Sequence, residues 1–254
     1  MSLSIQKANF WKRISAYLLD VILAVIITAG VAALLSSMLG YDKHVEKYNT
    51  LKTEYETNYG VDLDISEEDY NKLTEDEQQK YLDCYKAFNQ DAAAKKELSL
   101  MFQLVLVFVS ISFLISILVV YFIVPLFFKN GQTVGKKVFG LGVVRTNCVK
   151  ISNPILFVRS ILGLYTIETM FPVLLFIMIY FNLLGGVGTI TIGLFFVLQI
   201  CVLLFTQNHT SIHDLLSDTI VVDIATQRVF NTQEELIEYK KQLQAEEAAK
   251  AEYA

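Results

Sequence analysis

Four long apolar runs decide what this chain can fold into. They lie at about residues 14–38, 101–128, 167–184 and 189–206, each close to the ~20 residues a helix needs to cross a ~30 Å hydrocarbon core. Lipid offers the backbone no hydrogen-bond partner, so runs of this kind are satisfied as helices. The composition agrees. Hydrophobic residues make up 54% of the chain and the mean hydropathy is +0.44, too apolar for an ordinary soluble domain of this length. The expected fold class is all-α, a polytopic helical membrane protein. No short apolar core with a small-x-small cleavage pattern opens the chain, so the first run reads as a retained span.

Orientation follows from the links. Residues 129–153 carry five basic side chains and no acidic one, a bias that places a short loop on the cytoplasmic side. The lead with Lys7, Lys12 and Arg13 falls on the same side if two spans separate the two segments. Residues 41–97 hold 8 Lys against 15 acidic residues and belong outside. The chain thus divides into 1–40 (cytoplasmic lead and first span), 41–100 (acidic insert), 101–223 (the remaining spans) and 224–254 (tail).

The insert reads as an extracytoplasmic helical hairpin. Thr74 and Glu77 form a capping-box pattern at its second helix, which is expected to run unbroken into the second span. In the loop, "KVFGLGVVRTNCVKI" alternates around a Thr-Asn turn, so a short β-hairpin is expected there. "ILFVRSILGLYTIETM" (155–170) holds Arg159 and Glu168 and reads as an interfacial helix leading into a short third span. Gly185, Gly186 and Gly188 mark either a tight outer turn or close helix packing. The expected count is four transmembrane helices with both termini cytoplasmic; in a three-span alternative 155–184 does not cross and the C-terminus lies outside. The tail opens with a second capping pattern, Thr232 to Glu235, and reads as a solvated or loosely docked helix.

The informative residues are charges where lipid should exclude them. Asp20 sits roughly 9 Å inside the first span at ~1.5 Å per residue. A charge at mid-membrane costs ~2.5–3.5 kcal/mol, so even a shallow carboxylate is turned inward and partnered. Arg13 lies two turns away on the same face, about 10 Å along the axis and too far for direct contact. After the last span, "TSIHDLLSDTIVVD" supplies His213, Asp214 and Asp218. These acids, with Arg13, Arg159, Lys136 and Lys137, fall at one membrane face, and Asp20 is expected to face the segment around Asp214. Glu168, with Arg159 as a neighbour, joins the set as a second acid at membrane level. Such a cluster serves as a structural clasp, an ion or solute path, or a seat for anionic lipid headgroups, which juxtamembrane bases attract at ~1 kcal/mol each.

Three motifs, "R…A…LLD" in the first span, "GQTVGKKVFGLGVV" in the loop and "HDLLSDTIVV" after the last span, occur in the order seen in the RDD family of bacterial membrane proteins, which the chain resembles. The family's arginine and two aspartates map onto Arg13, Asp20 and Asp214, and Arg159 matches an arginine common ahead of the third span. The resemblance covers about two thirds of the chain; the 41–100 insert lies outside it, and Ser217 stands where the family often has a small residue before the aspartate–threonine pair. It implies a multi-pass protein of a bacterial inner membrane and a transport role, including cation/proton exchange proposed for some members.

Other chemistries lack their residues. Gly131, Gly135, Lys136 and Lys137 fall one residue short of a Walker loop, with Lys137 in place of its Ser/Thr. In "DLDISEED" Glu67 stands where a calcium loop needs Gly, and Leu73 where it needs the bidentate Glu. Cys84, Cys148 and Cys201 form no metal-site spacing and read as unpaired. His213 and Asp214 come with neither a nucleophile elbow nor a zinc-binding helix motif, and His44 and His209 are given no role. The chain is therefore not expected to be an enzyme, nor to bind a metal, cofactor or nucleic acid. Expected partners are the bilayer, anionic headgroups, a second copy or another membrane protein. Two functions stand side by side: a transporter or transporter subunit for cations, protons or a small solute, and a scaffold that binds a partner through the insert.

Overall fold

A computed structural model describes residues 8–206 and 210–252. Among them, four helices are long and apolar enough to cross a membrane: α1 (Phe10–Leu39), α5 (Ala92–Phe127), α7 (Asn153–Tyr180) and α8 (Gly185–Phe205). Their outer faces carry bare apolar side chains, among them Ile22, Val25 and Ile26 on α1 and Leu194, Val197 and Ile200 on α8, as a hydrocarbon surround requires. The chain forms two compact units, residues 1–29 with 110–254, and residues 30–109.

The smaller unit contains the acidic insert, and it is helical as expected. Gly40 in the left-handed region separates α1 from α2 (Tyr41–Tyr59); a one-turn α3 (Glu67–Tyr70) and α4 (Glu75–Gln90) follow. The Thr74–Glu77 capping box forms in both directions. The expected unbroken passage into the second span is corrected. Asp91 adopts an extended backbone and its carboxylate accepts the Ala94 N–H at 2.7 Å, so one residue ends α4 and caps α5. Phe88 is buried with Tyr48 and Tyr55 edge-on to its ring at 5.3 and 5.6 Å. His44, given no role from sequence, bonds Glu97 at 2.6 Å. Glu56, Asp62 and Asp64 bring their carboxylates together, with Lys52 paired to Asp64.

The larger unit holds a feature that local pattern missed. The loop strand β1 (Leu141–Arg145) pairs antiparallel not with its expected hairpin neighbour but with β2 (Thr219–Asp223), in register Leu141↔Asp223 through Arg145↔Thr219. The hairpin survives as a single bridge, Val144↔Lys150. Burial explains the choice, since Leu141, Val143, Val144, Ile220 and Val222 are all at most 1% exposed and a strand buried on both faces gains more apolar contact than a solvent-facing hairpin. Phe230 and Leu236 seat the start of α10 (Gln233–Glu252) on Cys148 and Val149. Thr232 accepts the Glu235 N–H while Glu235 reaches back to Asn231, so the tail is docked through its first turns.

Residues 155–170, expected as an interfacial helix leading into the third span, run into it without a break as the first half of α7. Val158–Met170 is π-helical, a form that usually appears as a single turn and often at functional sites. Gly185 has φ +50°, so it makes the turn. A Cβ at Gly188 would lie 2.8 Å from Ile179, so the neighbouring position serves close packing. All three cysteines are free thiols.

Candidate functional site: a charged cavity in the larger unit

Asp20 is fully buried, and its hydrogen-bond partners come not from the segment around Asp214, which sequence suggested it would face, but from the loop after the second span. The short helix α6 (Val134–Val138) is capped by Thr133, whose hydroxyl accepts the Lys136 N–H. That hydroxyl donates to Asp20 Oδ2 at 2.5 Å, and the Gly135 N–H donates to Oδ1 at 2.7 Å. A carboxylate thereby satisfies orphan donors of a helix start, a charge-assisted arrangement. Gly135 permits it, since a Cβ there would overlap the Ala16 carbonyl oxygen and come within 3.0 Å of the Asp20 carboxyl carbon. Lys136 Nζ lies 3.9 Å from Asp20 Oδ2 and 5.9 Å from the centre of the Tyr121 ring.

A second clasp joins α7 to α9 (Ile212–Leu216). Arg159 donates from Nε to Asp214 Oδ1 at 2.8 Å, and its terminal nitrogen makes an ion-pair contact of 2.7 Å with the same oxygen, with both side chains 3% exposed. Ser211 donates to Asp214 Oδ2 and Thr219 to Oδ1, each at 3.0 Å. Burial pushes the Asp214 carboxyl up, but the Arg159 guanidinium, with a smaller pull from Lys136, overrides it and holds it well below the usual carboxylate range. Gly163 lets the two helices meet, for a Cβ there would lie 2.6 Å from that of His213.

His213 bridges the clasp to Glu168. Its backbone N–H donates to Glu168 Oε1 at 2.7 Å and Nδ1 lies 2.8 Å from Oε2, while Arg159 reaches Nε2 at 3.0 Å. A guanidinium only donates and a carboxylate only accepts. The pair of bonds therefore selects a neutral ring carrying its proton on Nδ1. Arg159 and Glu168 do not touch each other; they are linked through this ring. They are nine positions apart, about two and a half turns at 3.6 residues per turn, which would put them on opposite faces of an α-helix. The wider i→i+5 winding of this stretch takes fewer turns over the same count and brings both to one side.

These groups surround a cavity of about 310 Å³. Arg13, Lys136, Arg159, Glu168, His213 and Asp214 line its polar part, and Phe10, Ile14, Tyr17 and Leu203 contribute apolar wall. Lys136 is held down to about 8, first by burial and then by Arg159, against the pull of Asp20 and Asp214.

Two candidates fall elsewhere. Asp218 turns outward to Arg145 and Thr146, and Lys137 lies exposed with its ammonium over the Phe128 ring at 3.8 Å. His209 lies outside the described residues. Sequence reasoning passed over Thr133, Ser211 and Thr219 as site residues. Ser211 carried a usable signal, because Ser-x-x-Asp before a helix is a capping pattern that ties it to Asp214.

No curated protein and no solved structure matches the chain. The sequence model of the RDD family matches residues 7–218, a stretch that contains Arg13, Asp20, Arg159 and Asp214. By that match, which covers most of its length, the chain belongs to the RDD family.

Proposed function

We propose that the protein is a small transporter, or the membrane subunit of one, for ions, protons or a small solute, with the charged cavity as its solute site. The supporting observation is the cavity itself, in which six ionisable side chains from α1, α6, α7 and α9 converge on one hollow. Ionisable groups at membrane level are expensive, and those that persist mark pathways or binding sites more often than not. In this reading the chain sits in a bacterial cell membrane with both ends cytoplasmic, an orientation supported by the five basic and no acidic residues of the 129–153 loop. It performs no covalent chemistry. Four spans leave little room for a gated path in one chain, so the working unit is a homo-oligomer or a complex with another membrane protein.

A scaffold role is the second reading. It is favoured by the complete internal bonding of Asp20 and Asp214, which makes both acids clasps rather than open ion ligands. Reconstituted vesicles separate the two. Flux of sodium, protons or a small organic anion that falls in both Glu168→Gln and Lys136→Gln protein, and persists in Asp218→Asn, supports transport. Flux unchanged in both cavity variants sinks the site, and flux unchanged in Asp20→Asn removes that residue from it. Loss of function on deletion of residues 45–95 is what partner docking through the insert requires.

A further inference from the structure

The cavity's charges narrow what it holds. Its two carboxylates are already engaged by protein donors: Glu168 by the His213 N–H and ring, Asp214 by Arg159, Ser211 and Thr219. An entering cation would have to displace those donors. It would also meet three bases, Arg13, Lys136 and Arg159, which outnumber the two acids on the wall, while His213 is neutral in the tautomer its bonds select. Lys136 has three N–H donors to place, and its polar partners Thr133 and Asp20 lie at 3.5 and 3.9 Å, both too long to use them well. An anion seated against Lys136 would therefore gain charge-assisted bonds that the protein does not already supply.

Part of the wall is apolar. Phe10 and Tyr17 of α1 are each 55% exposed and, with Leu203 of α8, lie beside the charged wall. A volume of about 310 Å³ equals roughly ten waters at ~30 Å³ each. That suits a headgroup and the first carbons of a chain, not a whole acyl tail.

We infer that the cavity binds the anionic headgroup of an amphiphile, a phosphate or carboxylate at Lys136 and Arg13, whose apolar tail leaves along Phe10 and Tyr17. This deepens the reading of the cavity as a solute site and rests on it for any role in transport, though binding itself does not require flux. The headgroup chemistry is shared by a membrane phospholipid and by free phosphate, and the tail distinguishes them.

The test uses full-length protein in neutral detergent, titrated separately with dioctanoyl phosphatidylglycerol, dioctanoyl phosphatidylcholine and inorganic phosphate. Native mass spectrometry counts bound molecules, and the single tryptophan, Trp11, next to Phe10 at the cavity wall, reports occupancy by fluorescence. The expected result is one tightly held phosphatidylglycerol, with affinity about thirty-fold above phosphatidylcholine, from ~1 kcal/mol at each of the two basic contacts. Inorganic phosphate should bind at least ten-fold more weakly, as two buried methylenes at ~0.8 kcal/mol each suffice for that. Lys136→Gln should weaken phosphatidylglycerol about five-fold and leave phosphatidylcholine alone, while Lys136→Arg retains it; a cooperative melt no lower than the parent's shows that both variants fold. Equal affinity for the two lipids, or unchanged phosphatidylglycerol binding in Lys136→Gln, overturns the inference. Phosphate binding as tight as the lipid's overturns its amphiphile half. Lipid binding without flux of any solute counts against the transport reading and upholds this one; flux with no lipid selectivity does the reverse.

Discussion

Replacing Arg159 with Met should be the most damaging single change in the larger unit, and the structure sets its size. Arg159 gives Asp214 two nitrogen contacts at 2.7 and 2.8 Å, and both side chains are 3% exposed. Without it the Asp214 carboxylate keeps only the Ser211 and Thr219 hydroxyls at 3.0 Å. Stranding one member of a buried pair costs about 3–5 kcal/mol; the two remaining hydroxyl donors put the expected loss near the lower end, about 3 kcal/mol. At about 2–4 °C per kcal/mol for a chain of this size, the melting temperature should fall by roughly 6–12 °C. Asp214→Asn keeps an acceptor for Arg159 and should cost less, about 2 kcal/mol, the value of a charged hydrogen bond. The double variant removes both charges together and should lose clearly less than the two singles combined, with a coupling of about 1.5–3 kcal/mol. Thermal unfolding of the purified protein, followed by Trp11 fluorescence, measures all three. Additive losses, or Arg159→Met protein that melts within 2 °C of the parent, would refute the clasp.

Gly135→Ala should destabilise by about 1–3 kcal/mol through overpacking, because its Cβ would overlap the Ala16 carbonyl; Gly193→Ala, with nothing within 4 Å, should be neutral in the same melt. Lys136 carries a pH signature of known sign. Its folded pKa of about 8 lies below the ordinary 10.5, so between those values the unfolded chain binds more protons and stability should rise with pH; Lys136→Met should flatten that rise. Asp214 acts at the acid end: its folded pKa is depressed, so its contribution is complete above the ordinary carboxylate value of ~3.9 and is lost as pH falls through the folded one, a loss Asp214→Asn abolishes. In the insert, Thr74→Ala breaks the capping box and should cost about 1 kcal/mol of local helix stability, read by amide hydrogen exchange over residues 75–90.

Features with a short period or a local partner were legible in the sequence. The four spans, the Thr74–Glu77 box and the gathering of Arg13, Arg159, Glu168, His213 and Asp214 at one site follow from apolar length, capping chemistry and the expense of charge in lipid. The partners of Asp20 were not legible, because one is the backbone N–H of Gly135, which every residue but proline has, and the other a single hydroxyl, that of Thr133, more than a hundred residues away. The shared face of Arg159 and Glu168 was hidden because a 3.6 period puts them on opposite sides and only π winding reunites them. The pairing of Leu141–Arg145 with Thr219–Asp223 joins segments more than seventy residues apart, and the nearer turn at Thr146–Asn147 offered local pattern a simpler partner.

The central claim is that the clasps on Asp20 and Asp214 hold open a charged cavity able to take a ligand. An experimental density map of the protein in phosphatidylglycerol-containing nanodiscs tests it most directly. The account requires Asp20 against Thr133 and Gly135, Arg159 against Asp214, and added density between Lys136 and Arg13 extending past Phe10 and Tyr17. A cavity closed by the Arg13 and Lys136 side chains, or Asp20 paired directly with the Asp214 segment, would contradict it.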